Sequence, residues 1–186
     1  MVKNPDQDKY VLSSSKKFSC PWFEVYKEKI RFPNGHIDDY FVFKRQSPFV
    51  AVVAVQKDEI FIIKQWRPTL KRWIYELPMG GINGKETPQK AAQREFLEET
   101  GYKAKTWKLL GEFWVAPGYS SEKGYVFLAT GIIKITGRAE DNPKEMIEVL
   151  RVSVRQLKEM IRKRELRDGP SLASLMLYLN TKNSKL

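Results

Sequence analysis

Between Gly80 and Tyr102 the chain reads GGINGKETPQKAAQREFLEETGY. Glu95, Glu98 and Glu99 have spacing i, i+3, i+4, which on a helix puts three carboxylates on one face. The helix is marked at both ends. Thr87 suits its N-cap, Pro88 its first position and Gly101 the place just past its end. Like charges at these spacings repel by roughly 0.2–0.5 kcal/mol per pair. A divalent cation would reverse that repulsion, and oxygen-only ligands suit a hard ion, Mg²⁺ or else Mn²⁺. The plainer reading is a solvated acidic face. Two features weigh against it. Ala92 and Phe96 fall beside the glutamate stripe, so the carboxylates border the buried face. The preceding segment, Leu77 to Gly84, carries three glycines, which let a backbone pass close to a ligand.

The spacing resembles the Nudix box, G-x5-E-x7-R-E-U-x-E-E-x-G-U, with U a bulky apolar residue. Gly80, Glu86, Arg94, Glu95, Phe96, Glu98, Glu99 and Gly101 fall in place. Tyr102 departs mildly from the usual aliphatic residue. Eight identities at fixed spacing are far more specific than a lone glycine motif.

Other segments resemble the ADP-ribose pyrophosphatases within that superfamily. They are Gln65-Trp66-Arg67, Glu76-Leu77-Pro78, Pro117 with Gly118 and Glu122, and Glu145 to Val149. The similarity runs over most of Trp22 to Leu179. It implies an α+β fold, a Nudix-type α/β/α sandwich with a mixed sheet and a small N-terminal antiparallel β lobe. It implies Glu95, Glu98, Glu99 and the Met79 carbonyl as metal ligands. Glu98, Glu99, Arg94 and Glu145 would be the catalytic set. Trp22, Arg67, Glu76, Pro117 and Glu122 would meet a nucleoside diphosphate sugar, with ADP-ribose giving AMP and ribose 5-phosphate. Each has a structural alternative: packing for Trp22, an edge charge for Arg67, an ion pair for Glu76 and a solvated loop for Glu145.

Apart from the resemblance, 186 residues suffice for one good core with a small accessory lobe. Residues 1–17 are polar and read as a flexible arm. Residues 18–45 read as two or three antiparallel strands, marginal alone and so expected to lean on the main domain or dimerise. Residues 46–186 read as the Nudix domain. There, 49–55 and 60–66 suggest a hairpin, 107–115, 125–133 and 147–154 strands, 116–122 a loop, and 154–166 and the stretch from Pro170 helices.

The net charge is +11, and residues 151–186 hold nine basic and three acidic side chains. No aromatic-interleaved basic stripe accompanies this excess. Attraction for phosphate-bearing ligands therefore fits better than a nucleic-acid surface, although binding or decapping of RNA 5′ ends is a rival expectation. The single Cys20 makes no internal disulfide, and the polar N-terminus lacks the apolar core of a signal peptide. No membrane association and a cytoplasmic setting are expected.

Overall fold

The computed structural model describes residues 9–135 and 146–181. It divides into two compact units, Met1–Ser47 with Trp114–Glu122, and Pro48–Phe113 with Lys123–Leu186.

The first unit is built on a three-stranded antiparallel sheet, β1 (Val11–Ser19), β2 (Phe23–Arg31) and β3 (Ile37–Arg45), in that order. The flexible arm expected over residues 1–17 is therefore strand from Val11 onward, with residues 1–8 outside the described part. Its polar composition hid the strand. What holds β1 is the backbone ladder to β2, together with Ser14 Oγ donating to Glu28 and an ion pair of Lys16 with Glu24. The segment 114–122, expected in the main domain, joins this unit instead. Phe43 N–H donates to the Tyr119 carbonyl at 2.8 Å, the Tyr40 hydroxyl to the Gly118 carbonyl, and Arg45 pairs with Glu122 at 2.9 Å.

The second unit holds a seven-stranded mixed sheet and three helices. Its strands are β4 (Phe49–Gln56), β5 (Glu59–Arg67), β6 (Arg72–Glu76), β7 (Met79–Gly81), β8 (Tyr102–Trp114, whose last residue belongs to the first unit), β9 (Lys123–Lys134) and β10 (Ile147–Ser153). The order is β10-β5-β4-β9-β8, with β6 beside β5 and β7 beside β4. The expected β4–β5 hairpin forms, but only Val55 and Gln56 pair with Ile60 and Glu59. The start of β4 instead takes β7, antiparallel, and its other edge takes β9, parallel. Splitting one edge between two partners is what carries the glycine segment onto the sheet.

Along β4 and β5, neighbours point to opposite faces. Val50, Val52, Ala54 and Phe61 join one buried cluster with Ala91, Ala92 and Phe96 of α1 (Pro88–Thr100). Val53, Ile60 and Ile62 join another with Leu157 of α2 (Val154–Arg162) and Leu175 and Tyr178 of α3 (Gly169–Leu179). The sheet thus lies between α1 and the α2–α3 pair, an α/β/α sandwich. Helix α2 stops at Arg162 rather than running to Leu166. Arg164 turns left-handed at φ 59°, and the N–H groups of Glu165 and Leu166 both return to the Met160 carbonyl. That turn drives Leu166 into the core. Among the described residues no helix is long and apolar enough to cross a membrane.

Candidate active site

Helix α1 forms as its sequence signals direct. Thr87 Oγ1 accepts from Lys90 N–H, Pro88 opens the first turn, and Gly101 closes the helix at φ 75° with its N–H on the Leu97 carbonyl. Its roll is set by packing. Phe96 is fully buried, edge-on to Phe61 and Trp107 with ring centroids 5.9 and 6.1 Å away. With Phe96 inward, Glu95 and Glu99 flank the core and face the glycine strand β7.

Three contacts tie β7 to α1. Met79 N–H donates to Glu99 Oε2 at 2.9 Å, and Glu99 is only 6% exposed. Arg94 Nη2 donates to the Gly81 carbonyl at 2.8 Å. Gly80 packs so closely on Glu95 that a Cβ there would lie 2.1 Å from Cδ and 2.3 Å from each carboxylate oxygen. Only glycine admits this approach. Gly80→Ala is expected to leave melting within a few degrees of the parent, because the obstructed group is the end of a flexible side chain. It should lower turnover by about ten- to a hundredfold, the usual cost of displacing a reacting-site group by an ångström. Parental turnover in this variant would show that the Glu95 position is immaterial.

Arg94 is the hub. Its Nη1 donates to Glu95 at 2.7 Å and Glu98 at 2.9 Å, its Nη2 to Glu86 at 2.8 Å, and its Nε to the other Glu86 oxygen at 3.3 Å. Glu86 also closes its own loop by accepting from Asn83 N–H at 2.6 Å. The Arg94 guanidinium holds the Glu86 carboxyl below its ordinary range, and Glu86 in turn raises Arg94 further. A carboxyl depressed in the folded state adds stability above its unfolded pKa, near 4.5, and that stability is lost as pH falls through the folded value. The melting-temperature gap between parent and Glu86→Gln should therefore be open at pH 7 and narrow steadily below pH 4.5. A gap constant from pH 7 to pH 3 would refute this.

Among the described residues no three acidic, histidine or cysteine side chains form a ready-made metal cluster. Instead, two carboxylates of the Glu95, Glu98, Glu99 triplet converge on one positive nitrogen, and the third accepts a backbone N–H. This donor set fits a hard divalent cation: all oxygen, on one helix face, and already disposed about a positive charge. The structure ties the Met79 N–H, rather than its carbonyl, to the triplet.

Arg67 and Glu76 come together. Arg67 Nε donates to both Glu76 oxygens at 3.1 and 3.0 Å, with Nη2 2.9 Å from Oε2. Glu76 is 3% exposed, and burial pushes its carboxyl up against the pull of Arg67. Gln65, on the same strand as Arg67, has a buried Oε1 without a hydrogen-bond partner. Trp22, Pro117 and Glu122 belong to the other unit. Trp22 is 69% exposed, Pro117 is exposed and Glu122 is half-buried in its ion pair with Arg45. Glu145 lies outside the described residues. The expected site omitted Glu86 and the Gly81 carbonyl. The signal for Glu86 was present, in its spacing of eight residues before Arg94.

A family model described as NUDIX domain matches residues 44–175. An ADP-ribose pyrophosphatase of Bacillus subtilis is 29% identical over 90% of each chain. One of Mycobacterium tuberculosis is 32% identical over 75% of this chain and 68% of the relative. A solved structure of an ADP compounds hydrolase superposes with a TM-score of 0.80 over 90% of both chains, at 21% identity.

Proposed function

Because this chain belongs to the Nudix family, whose members generally need a divalent metal ion, we propose that it hydrolyses the diphosphate bond of a nucleoside diphosphate sugar, ADP-ribose first among them. It is a pyrophosphohydrolase of the kind its relatives exemplify. The observation that carries the reading is the Arg94-centred carboxylate cluster lying against the glycine strand β7. Two relatives described as ADP-ribose pyrophosphatases support the substrate.

Glu95, Glu98 and Glu99, with the Met79 carbonyl, would hold the ion, Mg²⁺ or alternatively Mn²⁺. When bound, it supplies charge neutralisation at the diphosphate and lowers the pKa of coordinated water. Arg94 orients Glu95 and Glu98 and fixes the Gly81 carbonyl. A glutamate, either Glu98 or Glu99 of α1 or the later Glu145, takes the proton of the attacking water. Arg67 supplies fixed donors for phosphate or a base carbonyl. By resemblance to the family, Trp22 would meet adenine, and Pro117 and Glu122 the sugar. The products are AMP and ribose 5-phosphate.

A homodimer and a cytoplasmic setting complete the proposal. The three-stranded sheet exposes Leu12, Phe18, Ile37 and Phe41, and a small sheet gains stability by covering such a surface. Sedimentation at micromolar concentration tests the dimer.

The deciding experiment is a panel assayed with Mg²⁺: ADP-ribose, ADP-glucose, GDP-mannose, diadenosine polyphosphates and capped RNA. ADP-ribose should be cleaved to AMP with the highest kcat/KM. Preference for a guanine-linked sugar would keep the hydrolase and overturn the substrate.

A further inference from the structure

The Arg67–Glu76 pair has a geometry that a plain surface ion pair lacks. In the β5–β6 ladder Arg67 sits opposite Arg72, whereas Glu76 sits opposite Ile63. The two partners are thus four residue steps apart along the strand, roughly 13 Å. Both side chains must extend along the sheet to meet, past the position of Gln65 and its register partner Ile74. The guanidinium is drawn away from the hairpin tip and toward the segment that leads into β7.

That segment is rigid. Leu77 N–H donates to the buried Ser171 Oγ at 2.9 Å, the Pro78 carbonyl accepts from Val52 N–H at 2.9 Å, and Met79 N–H is held by Glu99. Glu76 is therefore an anchor with little freedom. Its side chain is 4% exposed against 36% for Arg67. A buried carboxylate in that position does not present itself to a substrate. It also contributes little net stability, because desolvation offsets the attraction. Its two oxygens engage Nε and Nη2, while Nη1 of Arg67 has no hydrogen-bond partner among the described residues.

We infer that Glu76 is a positioning residue: it fixes the Arg67 guanidinium beside the glycine strand so that Nη1 is presented to an oxygen of the substrate, phosphate or carbonyl. Of the two expectations for Glu76, a substrate contact and an ion pair, the inference takes the second, and it rests on the hydrolase reading above. The planar fork of arginine suits the role, because holding one edge leaves the other aimed. Lysine in place of Arg67 would keep the charge and lose the aim.

A double-mutant cycle tests it. Glu76→Gln should raise KM for ADP-ribose about tenfold with kcat within about twofold, the pattern of lost uniform binding. Arg67→Ala should raise KM at least as much. Adding Glu76→Gln to Arg67→Ala should then raise KM by less than about twofold, because Glu76 acts only through Arg67. A tenfold cost of Glu76→Gln in both backgrounds, or none in the parent, overturns the inference. The second measurement needs no turnover. The Arg67 Nε–H resonance should be sharp and protected in the parent and broadened in Glu76→Gln, and in the parent it should shift on addition of ADP-ribose without metal. No shift overturns the inference even if the enzyme is active. A parent protein that cleaves nothing on the panel yet shows that shift overturns the hydrolase reading and leaves the positioning role standing.

Discussion

Glu99→Gln is expected to lower kcat for ADP-ribose by about two to four powers of ten while leaving melting close to the parent. The two outcomes separate because Glu99 has two separable tasks. Its structural task is to accept the Met79 N–H at 2.9 Å, and a glutamine carbonyl oxygen of the same size can do that. Its chemical task needs negative charge, either to hold a divalent cation or to take a proton, and an amide supplies neither. Side-chain volume is unchanged, which matters at a position 6% exposed. Turnover would be measured across a Mg²⁺ titration, so that weakened ion binding, which excess metal restores, is told apart from lost chemistry. Near-parental turnover at every Mg²⁺ concentration, limiting as well as saturating, would remove Glu99 from the site.

Arg94→Ala is the other large effect, and it should appear in stability as well as rate. The guanidinium satisfies Glu86, Glu95, Glu98 and the Gly81 carbonyl together. Without it, three carboxylates face one another with no cation between them. Breaking a buried pair costs about 3–5 kcal/mol. Arg94 is 26% exposed, so solvent screening reduces this to about 2–3 kcal/mol. Turnover should fall about a hundredfold or more, because Glu95 and Glu98 lose their common anchor. Mg²⁺ should raise the melting temperature of the parent more than that of Arg94→Ala, since a cation bound only by the folded state stabilises it, and Glu95 and Glu98 are held ready for it only while Arg94 orients them. Arg94→Lys keeps charge but reaches fewer acceptors, so it should fall between the two. Equal Mg²⁺ responses in parent and Arg94→Ala would argue that Arg94 does not orient the carboxylates for the ion.

The features readable in advance are those whose physics is local. The α1 boundaries follow from Thr87, Pro88 and Gly101, whose preferences are set within one turn of chain. The one-faced glutamate triplet follows from helical spacing, and the place of Ala92 and Phe96 beside it was enough to set it at the edge of the core. The apolar runs 49–55 and 60–66 likewise announced paired strands of the main sheet.

The tertiary structure decided whatever depends on partners distant in sequence. No pattern within β4 shows that one of its edges is divided between β5 and β7, yet that division carries Gly80 to Glu95. The strand β1 is polar throughout its middle, so hydrophobic periodicity was silent and only the ladder to β2 reveals it. Residues 116–122 read as a loop, and the membership of 114–122 in the first unit rests on hydrogen bonds to Phe43, Tyr40 and Arg45. Glu76 carried two readings of equal weight in the sequence, and only the fold shows its burial and its pairing with Arg67. Charge in a sequence has no direction, and direction comes only when the fold fixes both ends of the pair.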